Sequence, residues 1–244
     1  MIQFWGITDV GAVRAQNQDA FYTNPIREDL LLAIVCDGMG GAKAGNVASS
    51  LAVATASDYL EDIVPDKLSS HAAARLCEAC RMSNRAVFHK ACREQECRGM
   101  GTTMVCAVVS GGKADILNVG DSRAYHISGE GITRVTRDHS VVEDLLRRGE
   151  ITPEEARTHP KKNLITRCLG TECEVDPDLY ELKLKPGDRL LLCTDGLSNV
   201  LTDQEMLYEV VHGGSGETCC QRMLDIALGR GAPDNVTVVL IEIA

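Results

Sequence analysis

Twice in this chain an unbroken apolar run stops on the same pair of residues. "DLLLAIVCDG" (29–38) ends on Asp37 and Gly38, and "RLLLCTDG" (189–196) ends on Asp195 and Gly196. Each run reads as a buried strand, and each places a lone carboxylate at the strand's rim just before a residue with a free backbone. The pattern recurs in weaker forms. "ADILNVGDSR" (114–123) puts Asp121 after an apolar strand and a glycine. "RGAPDNVTVV" (230–239) puts Asp234 just before the last strand, and "RAQNQDAF" (14–21) puts Asp19 before a short apolar stretch. A single Asp-Gly after a strand is usually a turn. Five such carboxylates, two in near-duplicate settings, suggest convergence.

A converging set of carboxylates cannot stand alone, because like charges at short range raise one another's pKa. A divalent cation removes the conflict. An all-oxygen donor set selects hard ions, so Mg²⁺ or Mn²⁺ fits and Zn²⁺ does not. Five carboxylates suit two ions roughly 3.5–4 Å apart, whose shared water deprotonates easily and whose natural substrate is a phosphate ester. The formal charge of −10 and pI near 5.1 agree with a bound cation if the substrate is anionic. No Lys/Arg run exceeds two residues, so a nucleic-acid partner is disfavoured.

With 244 residues and 44% hydrophobic content, one domain spanning 1–244 is expected. No apolar run approaches the roughly 20 residues needed to span a bilayer. The start, "MIQFWGITDVG", lacks the basic and apolar regions of a signal peptide. The 11 cysteines, an odd number, read as reduced thiols in the cytoplasm.

Strands are expected over 3–11 and 29–37, and a helix over 44–63 that Pro65 terminates. A second long helix is expected over 66–94. Short apolar runs broken by Gly-Gly, Gly-Asp and Gly-Glu-Gly read as a meander of hairpins over 102–136. Residues 140–163 are polar and helix-like, with turns at Gly149 and Pro160. A strand, Asp-Gly and helix follow over 188–206, a helix over 216–231, and a strand over 234–244. Strand runs mixed with long helices favour an α+β fold of antiparallel sheets covered by helices.

Eight motifs in this order resemble the metal-dependent serine/threonine protein phosphatases of the protein phosphatase 2C type, in their compact bacterial form. They are "VRAQNQDA" (13–20), "DGMGG" (37–41), "GTTMV" (101–105), "VGDSRAY" (119–125), "TRDHS" (136–140), "ITRCLG" (165–170), "CTDGLSN" (193–199) and "PDNVTVV" (233–239). The resemblance implies a four-layer α-β-β-α sandwich with the metal centre in a cleft at one end. It implies that Asp37 bridges two Mn²⁺ or Mg²⁺ ions, that the Gly38 carbonyl binds one, and that Asp195 and Asp234 complete the other shell. Asp19 then acts through metal-bound water, Asp121 with Asp195 holds a third, weaker ion, and Arg14 grips the substrate phosphate. A bidentate guanidinium suits that task. Segment 143–170 matches the mobile flap beside the site. The implied reaction is hydrolysis of phosphoserine and phosphothreonine in proteins, by direct attack of a metal-bridging hydroxide.

The chain departs from the family pattern at two positions. Met39 stands where many eukaryotic members have a histidine proposed as general acid, so protonation of the leaving group falls to metal-bound water or, second, to His139. Asn199 stands where some members carry an Asp of the third metal site, which lowers that site's charge. The implied partners are phosphorylated proteins and a Ser/Thr kinase; a monomer in the cytoplasm, with no nucleic acid and no membrane, is expected. Two alternatives remain: a phosphatase-like binding module without catalysis, and a two-metal hydrolase of small phosphate esters. "GMGGAKAGN" (38–46) lacks the Gly-Lys-Ser/Thr of a P-loop and fails G-x-G-x-x-G at Lys43. "CEAC" (77–80) lies inside an expected helix with no second C-x-x-C, so its thiols read as core. The adjacent Cys219 and Cys220 read as helix packing too.

Overall fold

A computed structural model describes residues 1–41 and 44–244. Its strands, in chain order, are β1 (Ile2–Asp9), β2 (Asp19–Arg27), β3 (Leu30–Met39), β4 (Gly101–Thr102), β5 (Met104–Ser110), β6 (Lys113–Val119), β7 (Arg123–Ser128), β8 (Gly131–Arg134), β9 (Asp178–Lys183), β10 (Arg189–Cys193) and β11 (Val236–Ile243). The helices are α1 (Ala44–Glu61), α2 (Pro65–Ser70), α3 (Ala72–Arg93), α4 (Val141–Arg147), α5 (Pro153–Thr158), α6 (Asp195–Ser198), α7 (Asp203–His212) and α8 (Gly216–Gly229). One sheet has the order β1-β11-β10-β7-β8 and the other β2-β3-β5-β6-β9, with β4 paired to β3 beside the second. Every pairing is antiparallel.

The apolar runs lack alternation because both faces of their strands are covered. In β3, Leu30, Leu32, Ile34 and Cys36 pack with Ala48, Ala52 and Leu76 of α1 and α3. The intervening Leu31, Ala33 and Val35 point the other way, and share a cluster with Leu190, Leu192, Val239 and Ile241 of the opposite sheet. In β10, Leu191 and Cys193 join Met206, Met223 and Leu224 beneath α7 and α8. Three apolar layers thus separate four layers of secondary structure, the expected α-β-β-α order. Each fully buried leucine stabilises this arrangement by about 1.5–3 kcal/mol. Cys80, Cys219 and Cys220 are buried in these layers, and all 11 thiols are free.

Three sequence expectations need correction, and strand β9 lies where none was expected. The stretch after Asp19 is a full strand, β2, at the sheet edge; its half-solvated face and Pro25, where the register slips, hide it. Strand β9 is also an edge strand, and its alternating exposure gives no long apolar run. The expected helix over 66–94 breaks at His71 (φ −130°, ψ 32°), and Pro65 opens α2 at its first turn. The expected meander over 102–136 is two hairpins, β5-β6 in one sheet and β7-β8 in the other. Gly120 makes the crossing possible. Its φ is +104°, and a Cβ there would lie 2.5 Å from Thr103 Cγ2.

The polar segment 140–170 forms α4 and α5 and is tied down at both ends. Ser140 bridges Ile165, and Thr102 bridges Leu169. No helix among the described residues is long and apolar enough to cross a membrane.

Candidate metal centre

Asp19 and Asp37 face each other directly across the β2–β3 pair. Asp37 is not at the strand's tip, because β3 continues to Met39 by pairing with β4. Its backbone is held on both sides. The Asp37 N–H donates to Thr103 Oγ1 (2.9 Å), and its carbonyl accepts from the Thr103 N–H and from Thr102 Oγ1, both at 2.8 Å. Asp195 opens α6, where Asn199 Nδ2 donates to its Oδ2 at 3.0 Å. Asp234 precedes β11 and accepts from Arg14 Nη2 (2.7 Å) and from the Asn235 N–H (2.9 Å). Asp121 lies at the crossing between sheets and is buried.

The five carboxylates share one electrostatic field. Burial pushes Asp37 well above the usual carboxylate range, and Asp19, Asp195, Asp121 and Asp234 push it further. Burial raises Asp121 too, helped by Asp195 and Asp138 against Arg123. Burial and then Asp234 raise Asp195. Asp19 is pushed up to about 7, chiefly by burial, with the Thr237 and Thr194 hydroxyls opposing. The other four predicted acids, drawn from both sheets, thus all act on Asp37.

The donor set fits a hard divalent ion. Asp19 Oδ1 and Asp195 Oδ1 are buried with no hydrogen-bond partner in the protein, and a bound cation with its waters would satisfy both. Among the described residues, no three His, Cys, Asp or Glu side chains close on one point as a ready-made cage. The acids instead meet in pairs, Asp19 with Asp37 and Asp37 with Asp195. Mg²⁺-like ions that keep several waters bind through one or two carboxylates in this way.

Gly38 is required by close approach rather than by an unusual dihedral. A Cβ on it would collide with the Gly45 carbonyl oxygen and lie 2.6 Å from that of Gln18. The intervening Ala42 and Lys43, part of the loop weighed above as a phosphate cradle, lie outside the described residues. His139 is 4% exposed and already engaged. The Gly120 N–H donates to its Nδ1 (3.1 Å), and its Nε2 lies 3.1 Å from Arg167 Nη1 and 3.4 Å from Asp178 Oδ2. Burial and then Arg167 hold its pKa below the ordinary value, against Asp178. Both effects disfavour the protonated ring that a general acid would need.

Four residues with no role assigned from the sequence hold the centre together: Thr103, Thr194, Thr237 and Asn235. The Asn235 side chain donates to the Val10 and Gln16 carbonyls (2.8 and 3.0 Å) and accepts from the Gln18 N–H (2.8 Å). It pins the loop that carries Arg14 to the start of β11. The only sequence signal was its place beside Asp234. Asn235→Ala is expected to destabilise the fold by about 1–3 kcal/mol, because three partly buried backbone groups lose their partner. Thermal unfolding would check this, and an unchanged midpoint would contradict it.

A family model described as protein phosphatase 2C matches residues 12–222, which include all five acids except Asp234, and Arg14. The chain belongs to the protein phosphatase 2C family. It is 37% identical to the serine/threonine protein phosphatase PstP of Mycobacterium tuberculosis over 100% of its own length and 45% of that protein's. It thus spans about half the length of that relative. It is 36% identical to the serine/threonine phosphatase stp of Listeria monocytogenes, covering 96% of this chain and 93% of that one. Among solved structures, the catalytic domain of PstP in complex with two manganese ions superposes with a TM-score of 0.87 at 35% identity, covering 99% of this chain and 97% of that one. The protein phosphatase 2C fold, with two antiparallel sheets flanked by helices, is therefore shared along nearly the whole chain.

Proposed function

We propose that this protein phosphatase 2C chain is a metal-dependent protein serine/threonine phosphatase. The observation that carries the reading is the convergence of five carboxylates, two of them with a buried, unpartnered oxygen. In this reading Asp37 serves two ions and the Gly38 carbonyl one of them. Asp195 and Asp234 serve the other, and Asp19 acts through bound water. Asp121, with Asp195 and the Asn199 amide, serves a third, weaker ion. Bound Mn²⁺ or Mg²⁺ supplies a water that is nucleophilic at neutral pH and offsets the negative charge of the phosphoryl group. The two manganese ions of the PstP structure support this.

The chain's own residues do the rest. Arg14 is half exposed, and its guanidinium sits at the edge of the acid cluster on Asp234. From there it can turn a two-pronged face to phosphate oxygens. Met39 offers no proton, so the leaving serine or threonine oxygen takes one from solvent-derived water. The substrates are phosphorylated proteins, as the relatives' names suggest for them, and a Ser/Thr kinase would supply such substrates. We place the protein in the cytoplasm as a monomer with one catalytic domain over 1–244 and a flap over 143–170. Free thiols and the lack of a membrane-spanning helix among the described residues support that placement.

One assay series separates this reading from a non-catalytic binding module and from a small-ester hydrolase. Hydrolysis of phosphoserine and phosphothreonine peptides and of p-nitrophenyl phosphate is measured with Mn²⁺ and with chelator. The expected result is metal-dependent turnover with higher kcat/KM on peptides. No turnover with metal would favour the binding module, and higher kcat/KM on the small ester would favour the third class. In the same assay Arg14→Ala should raise KM for phosphopeptide by roughly tenfold, the loss of about 1.4 kcal/mol from a charge-assisted contact. An unchanged KM and kcat would remove Arg14 from phosphate binding.

A further inference from the structure

We infer that Thr237 and Thr194 are positioning residues of the metal centre, forming a two-hydroxyl clamp that fixes Asp19 and joins the two sheets at the site. The inference rests on the reading that the acid cluster binds divalent ions. Both threonines are 0% exposed. Thr237 lies in β11 and Thr194 directly follows β10, in the five-stranded sheet. Asp19 opens β2 in the other sheet. Thr237 Oγ1 donates to Asp19 Oδ2 at 2.7 Å, and Thr194 Oγ1 donates to the same oxygen at 2.9 Å.

With Asp19 ionised, as holding a cation requires, the direction of each proton in this cluster is fixed by its neighbours. An ionised carboxylate only accepts, so the single hydroxyl proton of Thr237 goes to Asp19. Thr237 Oγ1 is also 2.7 Å from Thr8 Oγ1, so Thr8 must be the donor in that pair. Thr8 in turn accepts from Asn17 Nδ2 at 2.9 Å. Thr194 Oγ1 accepts the Thr237 N–H at 3.0 Å, which leaves its own proton for Asp19. A relay therefore runs from Asn17 through Thr8 and Thr237 to Asp19, with Thr194 closing it. The result is one-sided. Asp19 Oδ2 is occupied by two donors, while Oδ1 is buried with no protein partner. The clamp thus reserves Oδ1 for whatever the centre binds.

The clamp also sets a distance. Asp19 and Asp37 belong to one sheet, while Asp195 and Asp234 flank strands of the other. Thr194 immediately precedes Asp195, and Thr237 is three residues beyond Asp234. Between the sheets lies an apolar cluster, and apolar contact is non-directional. Directed hydroxyl bonds locate the two pairs of acids relative to each other far more closely. Outer partners of this kind typically change metal affinity or activity by about 10- to 100-fold when removed.

The test is Mn²⁺ titration by calorimetry on the full chain, with Thr237→Val, Thr194→Val, Thr237→Ser and Asp37→Asn. Valine keeps the shape and removes the donor. We expect Mn²⁺ affinity to fall roughly 10-fold or more in each valine variant. We expect Thr237→Ser to recover it, and kcat to fall on phosphopeptide with KM little changed. Should Thr237→Val fail to fold, as circular dichroism would show, Thr194→Val carries the test by itself. Affinity within twofold of wild type in the folded valine variants, with Asp37→Asn lacking Mn²⁺, would overturn the clamp. The same would follow if Thr237→Ser binds as poorly as valine. Wild-type affinity in Asp37→Asn would instead overturn the metal-centre reading beneath it.

Discussion

Asp37→Asn is expected to lower phosphopeptide turnover by about 10³-fold or more, because it removes charge at the one acid that serves both proposed ions. The substitution is nearly isosteric, and the Asp37 backbone is held independently of its side chain by Thr102 and Thr103. The acid suffers burial and the repulsion of four neighbouring carboxylates. Replacing it with a neutral amide relieves that repulsion, so the thermal midpoint in chelator should be unchanged or higher. Loss of activity without loss of stability distinguishes a functional acid from a structural one. Turnover near wild type under saturating Mn²⁺ would remove Asp37 from the chemistry. A large drop in the midpoint would mean that the acid holds the fold.

Gly38→Ala should produce the opposite pairing, with stability and activity falling together. The two groups that a Cβ meets, the Gly45 and Gln18 carbonyl oxygens, are backbone and cannot swing aside. The Gly38 N–H also donates to the Gln18 carbonyl at 3.0 Å, so separating the segments breaks a hydrogen bond. Overpacking of this kind costs about 1–3 kcal/mol, and the upper end applies where neither neighbour is a flexible side chain. For a chain of this size that corresponds to a drop of roughly 6–12 °C in thermal midpoint. Since β3 must shift away from α1, Asp37 moves with it and Mn²⁺ affinity should fall. Differential scanning calorimetry with and without Mn²⁺ checks both effects. A variant with the wild-type midpoint would show that the strand and helix can separate freely there.

The parts of this molecule most legible in the sequence are those buried on both sides. Leu30–Cys36, Leu190–Cys193 and Val236–Ile241 lie in strands covered by a helix layer and by the opposite sheet, so their composition alone marks them. Edge strands β2 and β9 carry a mixed code because one side meets water, and the residues of β2 read only as a short apolar stretch. The carboxylates are legible because each sits where a strand begins, ends or changes partner, Asp37 lying between the β5 and β4 pairings of β3. Their supporting threonines are not. Thr194 and Thr237 look like ordinary strand residues, and their meaning comes from hydrogen bonds spanning 175 and 218 positions of chain. The break at His71 is hidden because the polar Asp66–Ser70 stretch before it and the Ala-rich stretch after it both satisfy a helical pattern.

The Thr102 bridge has a practical meaning for exchanging parts between relatives. Thr102 trades two backbone hydrogen bonds with Leu169 (3.0 and 2.8 Å), and its hydroxyl donates to the Asp37 carbonyl. The last residues of the segment bearing α4 and α5 are therefore part of the scaffold of the acid cluster rather than of the insert. A chimera that borrows the insert from a relative should be spliced between Val141 and Leu164, whose backbones are joined by a 2.9 Å hydrogen bond. Splicing further along would import a foreign anchor for Asp37, and any change in substrate preference would then be mixed with a change in the centre itself.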